Sequence, residues 1–203
     1  VDRIPPARLF KEQILYRESI LPNLYNQALQ ELAGVFDRID EQAVDSAVSV
    51  IAGAGRIALY GVGREGLQIK GLAMRLHHLG LKAAVVGDMT TPPVSGGDLL
   101  IVSAGPGGFS TVMGLMGVAA AAGARTLVVT AQPDGDAARR ADHVLTIPAQ
   151  TMANDRGTNV SVLPMGSLFE SAQYILFEVM VLKLRERLGI STEAMRANHT
   201  NLE

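Results

Sequence analysis

Between Leu99 and Val112 an apolar run, Leu99-Leu100-Ile101-Val102, breaks into the glycine-rich stretch Ser103-Ala104-Gly105-Pro106-Gly107-Gly108 and resumes at helical spacing from Ser110. Apolar on every position and bounded by turn residues, the run reads as a strand covered on both faces, as in a parallel sheet. A strand, a glycine loop and a helix start form a unit whose freed amides and positive helix end can hold an anion or an electron-rich oxygen. The same pattern also makes a plain tight turn, so the remaining chain has to decide what the loop does.

The unit recurs. Arg56 to Tyr60 predicts the first strand, followed at once by Gly61-Val62-Gly63-Arg64-Glu65-Gly66 and a helix to about Leu79; Lys82 to Val86 predicts the second. Leu99–Ser103 is the third, with a helix over about 110–122; Thr126 to Thr130 is the fourth, Asp136 to Ala141 a short helix and Val144 to Ile147 the fifth strand. Strands alternating with helices predict an α/β fold, a parallel sheet with helices on both faces in a flavodoxin-like or Rossmann-like order. In either, ligands lie at the carboxyl ends of the strands, where both glycine loops fall. Gly61, Gly63 and Gly66 have the dinucleotide-fingerprint spacing, and Asp88 lies near where that fingerprint needs a ribose-binding acid, so a nicotinamide reading is open by pattern.

Ahead of the first strand, Leu9, Ile14, Leu15, Ile20, Leu21, Leu24, Ala28 and Leu32 recur at threes and fours, predicting an amphipathic helix from about Ala7 to Phe36 that Pro22 kinks or splits. With Asp40 to Ile51 as a second helix, residues 1–53 read as a helical extension of one 203-residue domain, packing on the domain's flank or on a neighbouring subunit, with subunit contact favoured. After the sheet, Met152 to Val162 reads as a mobile polar loop, and Leu163-Pro164-Met165-Gly166-Ser167-Leu168-Phe169-Glu170 opens a long apolar helix that Gly189 stops. Ser191 then caps a short helix before the polar tail.

Composition excludes several classes. A net charge of −2 with scattered Lys and Arg gives no nucleic-acid footprint. The absence of cysteine removes disulfides, thiolate nucleophiles and zinc clusters, and His77 and His78, adjacent on a helix, cannot form an i, i+4 metal pair, so no metal site is expected. No apolar run is long enough for a membrane span, and a soluble cytoplasmic protein is expected. Glu170, in the first turns of an otherwise apolar helix, is a candidate general base if burial raises its pKa, and otherwise a helix-end carboxylate or ion-pair partner.

Taken together, Tyr60-Gly61-Val62-Gly63-Arg64, Ala73-Met74-Arg75-Leu76-His77-His78-Leu79-Gly80, Gly97-Asp98-Leu99-Leu100-Ile101, the Pro164-Met165-Gly166 to Glu170 segment and the ending His199-Thr200-Asn201-Leu202-Glu203 resemble the sugar isomerase (SIS) domain family nearly end to end, most of all its 6-phospho-3-hexuloisomerases. The resemblance implies a flavodoxin-like three-layer sandwich around a five-stranded parallel sheet and a homotetramer built as a dimer of dimers. It further implies cofactor-free interconversion of a 3-ketose and a 2-ketose phosphate through an enediol. It makes Glu170 the base and gives His199 a catalytic place, reaching a neighbouring subunit's site. Gly63, Arg64, Glu65, Gly105, Gly107, Gly108, Ser110 and Thr111 would form the substrate-binding loops.

The departures fall where that family holds phosphate. Its Ser-Gly-Ser-Gly-Glu-Thr-Ser loop here reads Ala104-Gly105-Pro106-Gly107-Gly108-Phe109-Ser110, its Gly-Arg-Ser-Gly reads Gly63-Arg64-Glu65-Gly66, and a third hydroxyl position is Met89. Two like unit charges about 4 Å apart repel by roughly 4 kcal/mol at an effective dielectric of 20, so a carboxylate beside a phosphate opposes binding unless a cation intervenes. These changes favour, as alternatives, an isomerase of a non-phosphorylated substrate or an SIS-fold sugar-binding or regulatory module without catalysis.

Overall fold

The structure, a computed structural model, describes residues 23–158 and 160–202. The helix expected from Ala7 is seen as α1 over 23–36; its part before residue 23, with the Pro22 kink, lies outside the described residues. There follow α2 (Glu41–Ala52), β1 (Ile57–Gly61), α3 (Gly63–His78), β2 (Ala83–Val85), β3 (Leu99–Ser103), α4 (Ser110–Ala121), β4 (Arg125–Thr130), α5 (Asp136–Arg140), β5 (His143–Thr146), α6 (Ser167–Leu188) and α7 (Thr192–Ala197). The five strands run parallel in the order β2-β1-β3-β4-β5. Of the two orders open to the sequence, this is the flavodoxin-like one.

Side chains alternate across the sheet as the period of two requires. Ile57, Leu59, Leu99, Ile101, Leu127 and Val129 pack against α2, α3 and α6, while Ala58, Leu100, Val102 and Val128 face α4 and α5. Both faces being covered, β3 is buried at every position, which is why it reads as an unbroken apolar run. Ends are set locally. The Asp40 carboxylate accepts from Gln42 N at 2.9 Å at the start of α2, Ser191 Oγ accepts from Ala194 N at 3.1 Å at the start of α7, and Gly189 ends α6 at φ +64°.

The later half of α1 packs on its own domain: Val35 is buried in the core, Leu32 and Phe36 lie against it, and Arg38 donates to Pro148 O at 2.8 Å. Leu24, Tyr25 and Leu29 stay exposed. The 152–162 loop, expected to be mobile, is tied at both ends. Thr151 N donates to Asn154 Oδ1 at 2.8 Å, Ser161 N to Gln150 Oε1 at 2.8 Å and Val162 N to Glu31 Oε1 at 3.2 Å. Of its polar residues, Asn154 and Ser161 take part in these ties.

Candidate active site

Because β1 lies beside β3 while α3 and α4 leave to opposite faces, a crevice opens at the carboxyl ends of these two strands. Gly66 lets α3 start hard against β1: a Cβ there would stand 2.5 Å from Gly61 O. The close seat brings Glu65, in the first turn of α3, across to the β3–α4 loop. Its Oε2 accepts from Ser103 Oγ at 2.5 Å and from Gly105 N at 2.9 Å, and Gln173 Nε2 in turn donates to Ser103 Oγ at 2.8 Å. All three side chains are buried. Gly105 is required by this approach, since a Cβ would lie 2.9 Å from Glu65 Oε1 and from Phe169 Cε1. Burial pushes the Glu65 carboxyl above its usual 4.5, against the pull of its two hydrogen bonds.

The second carboxylate arrives on α6. Met165 (φ +55°) and Gly166 (φ +81°) take left-handed conformations that turn the chain into this helix. Glu170 in its first turn then meets Arg64, with Arg64 Nε 3.0 Å from Glu170 Oε2. The same guanidinium donates to Ser167 Oγ at 2.7 Å and to Met165 O at 2.5 Å, so it fixes both the carboxylate and the turn before it. The Glu170 side chain is only 15% exposed. Burial raises its pKa above 4.5, the Arg64 charge opposes the rise and repulsion from Glu65 adds to it. A carboxylate shifted this way is suited to accept a proton from a weak carbon acid.

Arg64, Glu65 and Glu170 open together on a cleft of about 500 Å³ whose remaining walls include Val62, Pro106, Phe109, Met152, Met165 and Phe169. Gly63 borders it as well. The other expected loop residues part company with this group. Gly107, Gly108 and Ser110 line a neighbouring hollow of about 540 Å³ with Asp136 and Arg139, and Pro106 and Phe109 form the wall that the two spaces share. Thr111 is exposed on the first turn of α4, and Met89 is fully exposed. His199 is not brought to Glu170 within this chain. It follows α7 and stacks on His78, ring centroids 5.1 Å apart, at the far end of α3 from the cleft. Fifteen helical steps, about 22 Å, separate the two ends of α3. Ser103, Gln173, Met165 and Phe169 belong to the site and are not singled out by sequence reasoning. Ser103 and Gln173 carry a faint signal as uncharged polar residues within apolar runs.

The SIS domain family matches residues 50–173, which hold the whole cleft. The chain belongs to the SIS-domain family. It is 38% identical over 173 residues to the 3-hexulose-6-phosphate isomerase of Mycobacterium gastri, covering 85% of this chain and 86% of that one. To the 3-hexulose-6-phosphate isomerase of Bacillus subtilis it is 31% identical over 188 residues, 93% and 97% of the two chains. Among solved structures, a Methanococcus jannaschii protein, for which a molecular function of 3-hexulose-6-phosphate isomerase was inferred, superposes with a TM-score of 0.75 at 28% identity over 91% of this chain and 99% of that one. These relatives support an isomerase. Among the described residues no helix is long and apolar enough to cross a membrane, and no group of three His, Cys, Asp or Glu is placed to hold a metal ion.

Proposed function

We propose that the chain is a sugar isomerase of the 3-hexulose-6-phosphate isomerase type. It interconverts 3-hexulose 6-phosphate and fructose 6-phosphate, or a related 3-ketose and 2-ketose, through an enediol with Glu170 as base. The observation that carries this is the Glu170 carboxylate itself. It stands at the positive end of α6, held by Arg64 and nearly buried in a cleft at the carboxyl ends of β1 and β3. Glu170 takes the proton from the hydroxyl-bearing carbon beside the ketone, and the ketone oxygen gains a proton, giving the enediol. The neighbouring hydroxyl then loses its proton and becomes the new carbonyl while Glu170 returns a proton to the former carbonyl carbon. Atoms and electrons balance without an added reductant or oxidant. Arg64 keeps the carboxylate aimed and ionised.

The substrate-binding set is Gly63, Arg64 and Glu65 in the cleft, with Gly105 behind it and Gly107, Gly108, Ser110 and Thr111 along the adjoining loop. His199 serves a neighbouring copy's site in a homotetramer built as a dimer of dimers. Exposed apolar side chains support a contact between copies: Leu67 and Met74 on α3, and Tyr174, Val179 and Leu182 on α6. In heavy water, NMR of candidate ketose phosphates and free ketoses should show exchange at the carbons beside the carbonyl. No exchange with any of them would overturn the reading. Mixing Glu170→Gln and His199→Ala chains should restore activity that neither has alone; two inactive proteins that stay inactive together would remove His199 from the shared site.

A further inference from the structure

Moving a carbonyl between neighbouring carbons needs proton transfers at carbon and at oxygen. Glu170 serves the carbons in the reading above, and the oxygens still need a partner. Among the described residues that line the cleft, the side chains able to gain and lose a proton near neutral pH are Glu65 and Glu170, since arginine stays protonated. His199 of the same chain stands at the far end of α3.

Glu65 is bonded through one oxygen. Ser103 Oγ at 2.5 Å and Gly105 N at 2.9 Å both donate to Oε2, and Gln173 Nε2 steadies Ser103 from behind at 2.8 Å. Oε1 makes no hydrogen bond among the described residues. It is not sealed away either, because the buried side-chain polar atom left without a partner there is Gln173 Oε1. Oε1 therefore reaches open space, and the space that Glu65 lines is the cleft. A carboxylate kept only to tie the β3–α4 loop to α3 would gain by bonding through both oxygens; this one holds its position with one and presents the other. Glu170 lies close enough for the two charges to repel, while Arg64 is held on the Glu170 side by Glu170, Ser167 and Met165. Burial also makes Glu65 a better proton acceptor than a solvated carboxylate.

Resting on the isomerase reading and completing its chemistry, we infer that Glu65 is a second catalytic residue: its Oε1 takes the proton of the substrate's hydroxyl and delivers it to the ketone oxygen, while Glu170 carries the proton between the carbons. As Glu170 draws its proton from carbon, the ketone oxygen takes up negative charge. Glu65, ionised, accepts the proton of the neighbouring hydroxyl and passes it to that oxygen. The electron pair left on the hydroxyl oxygen forms the new carbonyl, and the C=C pair takes the proton back from Glu170 at the former carbonyl carbon. Both carboxylates end as they began, and no co-reactant is used. The two oxygens sit on adjacent carbons, so one carboxylate oxygen can serve both. Ser103 and Gln173 are positioning residues for Glu65. The relay makes no demand on the rest of the sugar, a phosphate included.

The test separates the two transfers in heavy water, with fructose 6-phosphate or whichever ketose wild type turns over. Deuterium entering the hydroxyl-bearing carbon beside the carbonyl, read by NMR, reports proton removal by Glu170; appearance of the shifted ketose reports the completed reaction. Glu65→Gln keeps the size of the side chain and an oxygen acceptor for Ser103, but cannot carry a proton between oxygens. It should lower isomerisation by about a hundredfold or more while deuterium entry falls by less than about tenfold, so that the ratio of exchange to isomerisation rises. Glu65→Ser should raise the same ratio, and it carries the test if Glu65→Gln loses its fold by circular dichroism. A merely structural Glu65 would lower both reactions together, and an unchanged ratio in the folded variants overturns the inference. So does a ratio that rises in His199→Ala instead, which would assign the oxygens to the neighbouring copy. A wild type that exchanges nothing with any ketose or ketose phosphate sinks the isomerase reading and the relay with it; wild-type turnover with an unmoved ratio sinks the relay alone.

Discussion

Two hollows lie side by side above the sheet, divided by Pro106 and Phe109, and they differ in how their helix ends are satisfied. In the cleft, α3 and α6 carry Glu65 and Glu170 in their first turns, both desolvated and both with raised pKa values. In the neighbouring hollow, α4 begins at Ser110 with no acid in its first turn, and the nearby Asp136 and Arg139 pair with each other in solvent. A helix end met by a buried carboxylate yields a group of altered acidity beside apolar walls, which is what proton transfer from carbon needs. One without an acid keeps its backbone amides open to a bound group.

The comparison can be broken most decisively at Glu170. Glu170→Gln should lower proton exchange by about a hundred- to ten-thousandfold with an unchanged fold, read by NMR and circular dichroism; retained exchange would move the chemistry out of the cleft. Next is the support beneath it. Ser103→Ala removes the hydroxyl that donates to Glu65 and accepts from Gln173, whose Oε1 is already buried without a partner among the described residues. It should cost about 1–3 kcal/mol in urea unfolding.

The acidity of Glu170 sharpens the picture in two opposite directions. The proposed mechanism requires its base form, so activity should rise with pH through its pKa. Arg64→Met removes the charge that lowers that pKa and should shift the acid limb of kcat/KM to higher pH; Glu65→Gln removes a repelling charge and should shift it lower. Shifts in the same direction for both variants would contradict the assigned neighbours.

Glu65 also sets a stability dependence. Its folded pKa lies above the unfolded value near 4.5, so what it contributes is fully present below that pH and is lost as the pH rises through the folded pKa. Thermal melts of Glu65→Gln should therefore show a Tm above wild type at neutral pH, with the gap closing as pH falls below 4.5. The smallest effect belongs to the other hollow. Arg139→Ala breaks a well-exposed ion pair and should change stability by less than about 1 kcal/mol, leaving exchange within about twofold.

Much of this is legible in the amino-acid sequence. Local periodicity placed the strands to within about a residue, and β3 fell on Leu99–Ser103 because a strand buried on both faces has no polar face to blur its edges. Glu170 stood out as a lone acid at the head of an apolar helix, and the altered loop was visible as a proline and a phenylalanine among glycines. Ser103 and Gln173 are only faintly legible, since each gains its role from a partner on another element.

The sequence by itself determined the α/β alternation, the glycine-started helices and the departure from a serine-rich anion loop, because these depend on spacing along the chain. Tertiary structure alone decided that β1 would lie beside β3, and from that contact the rest follows. Glu65 reaches the donors of a loop 38 residues on, the expected binding residues divide between two hollows, and His199 is carried to the far end of α3. Spacing fixes which face of an element a residue occupies; only strand order and helix packing fix what that face meets.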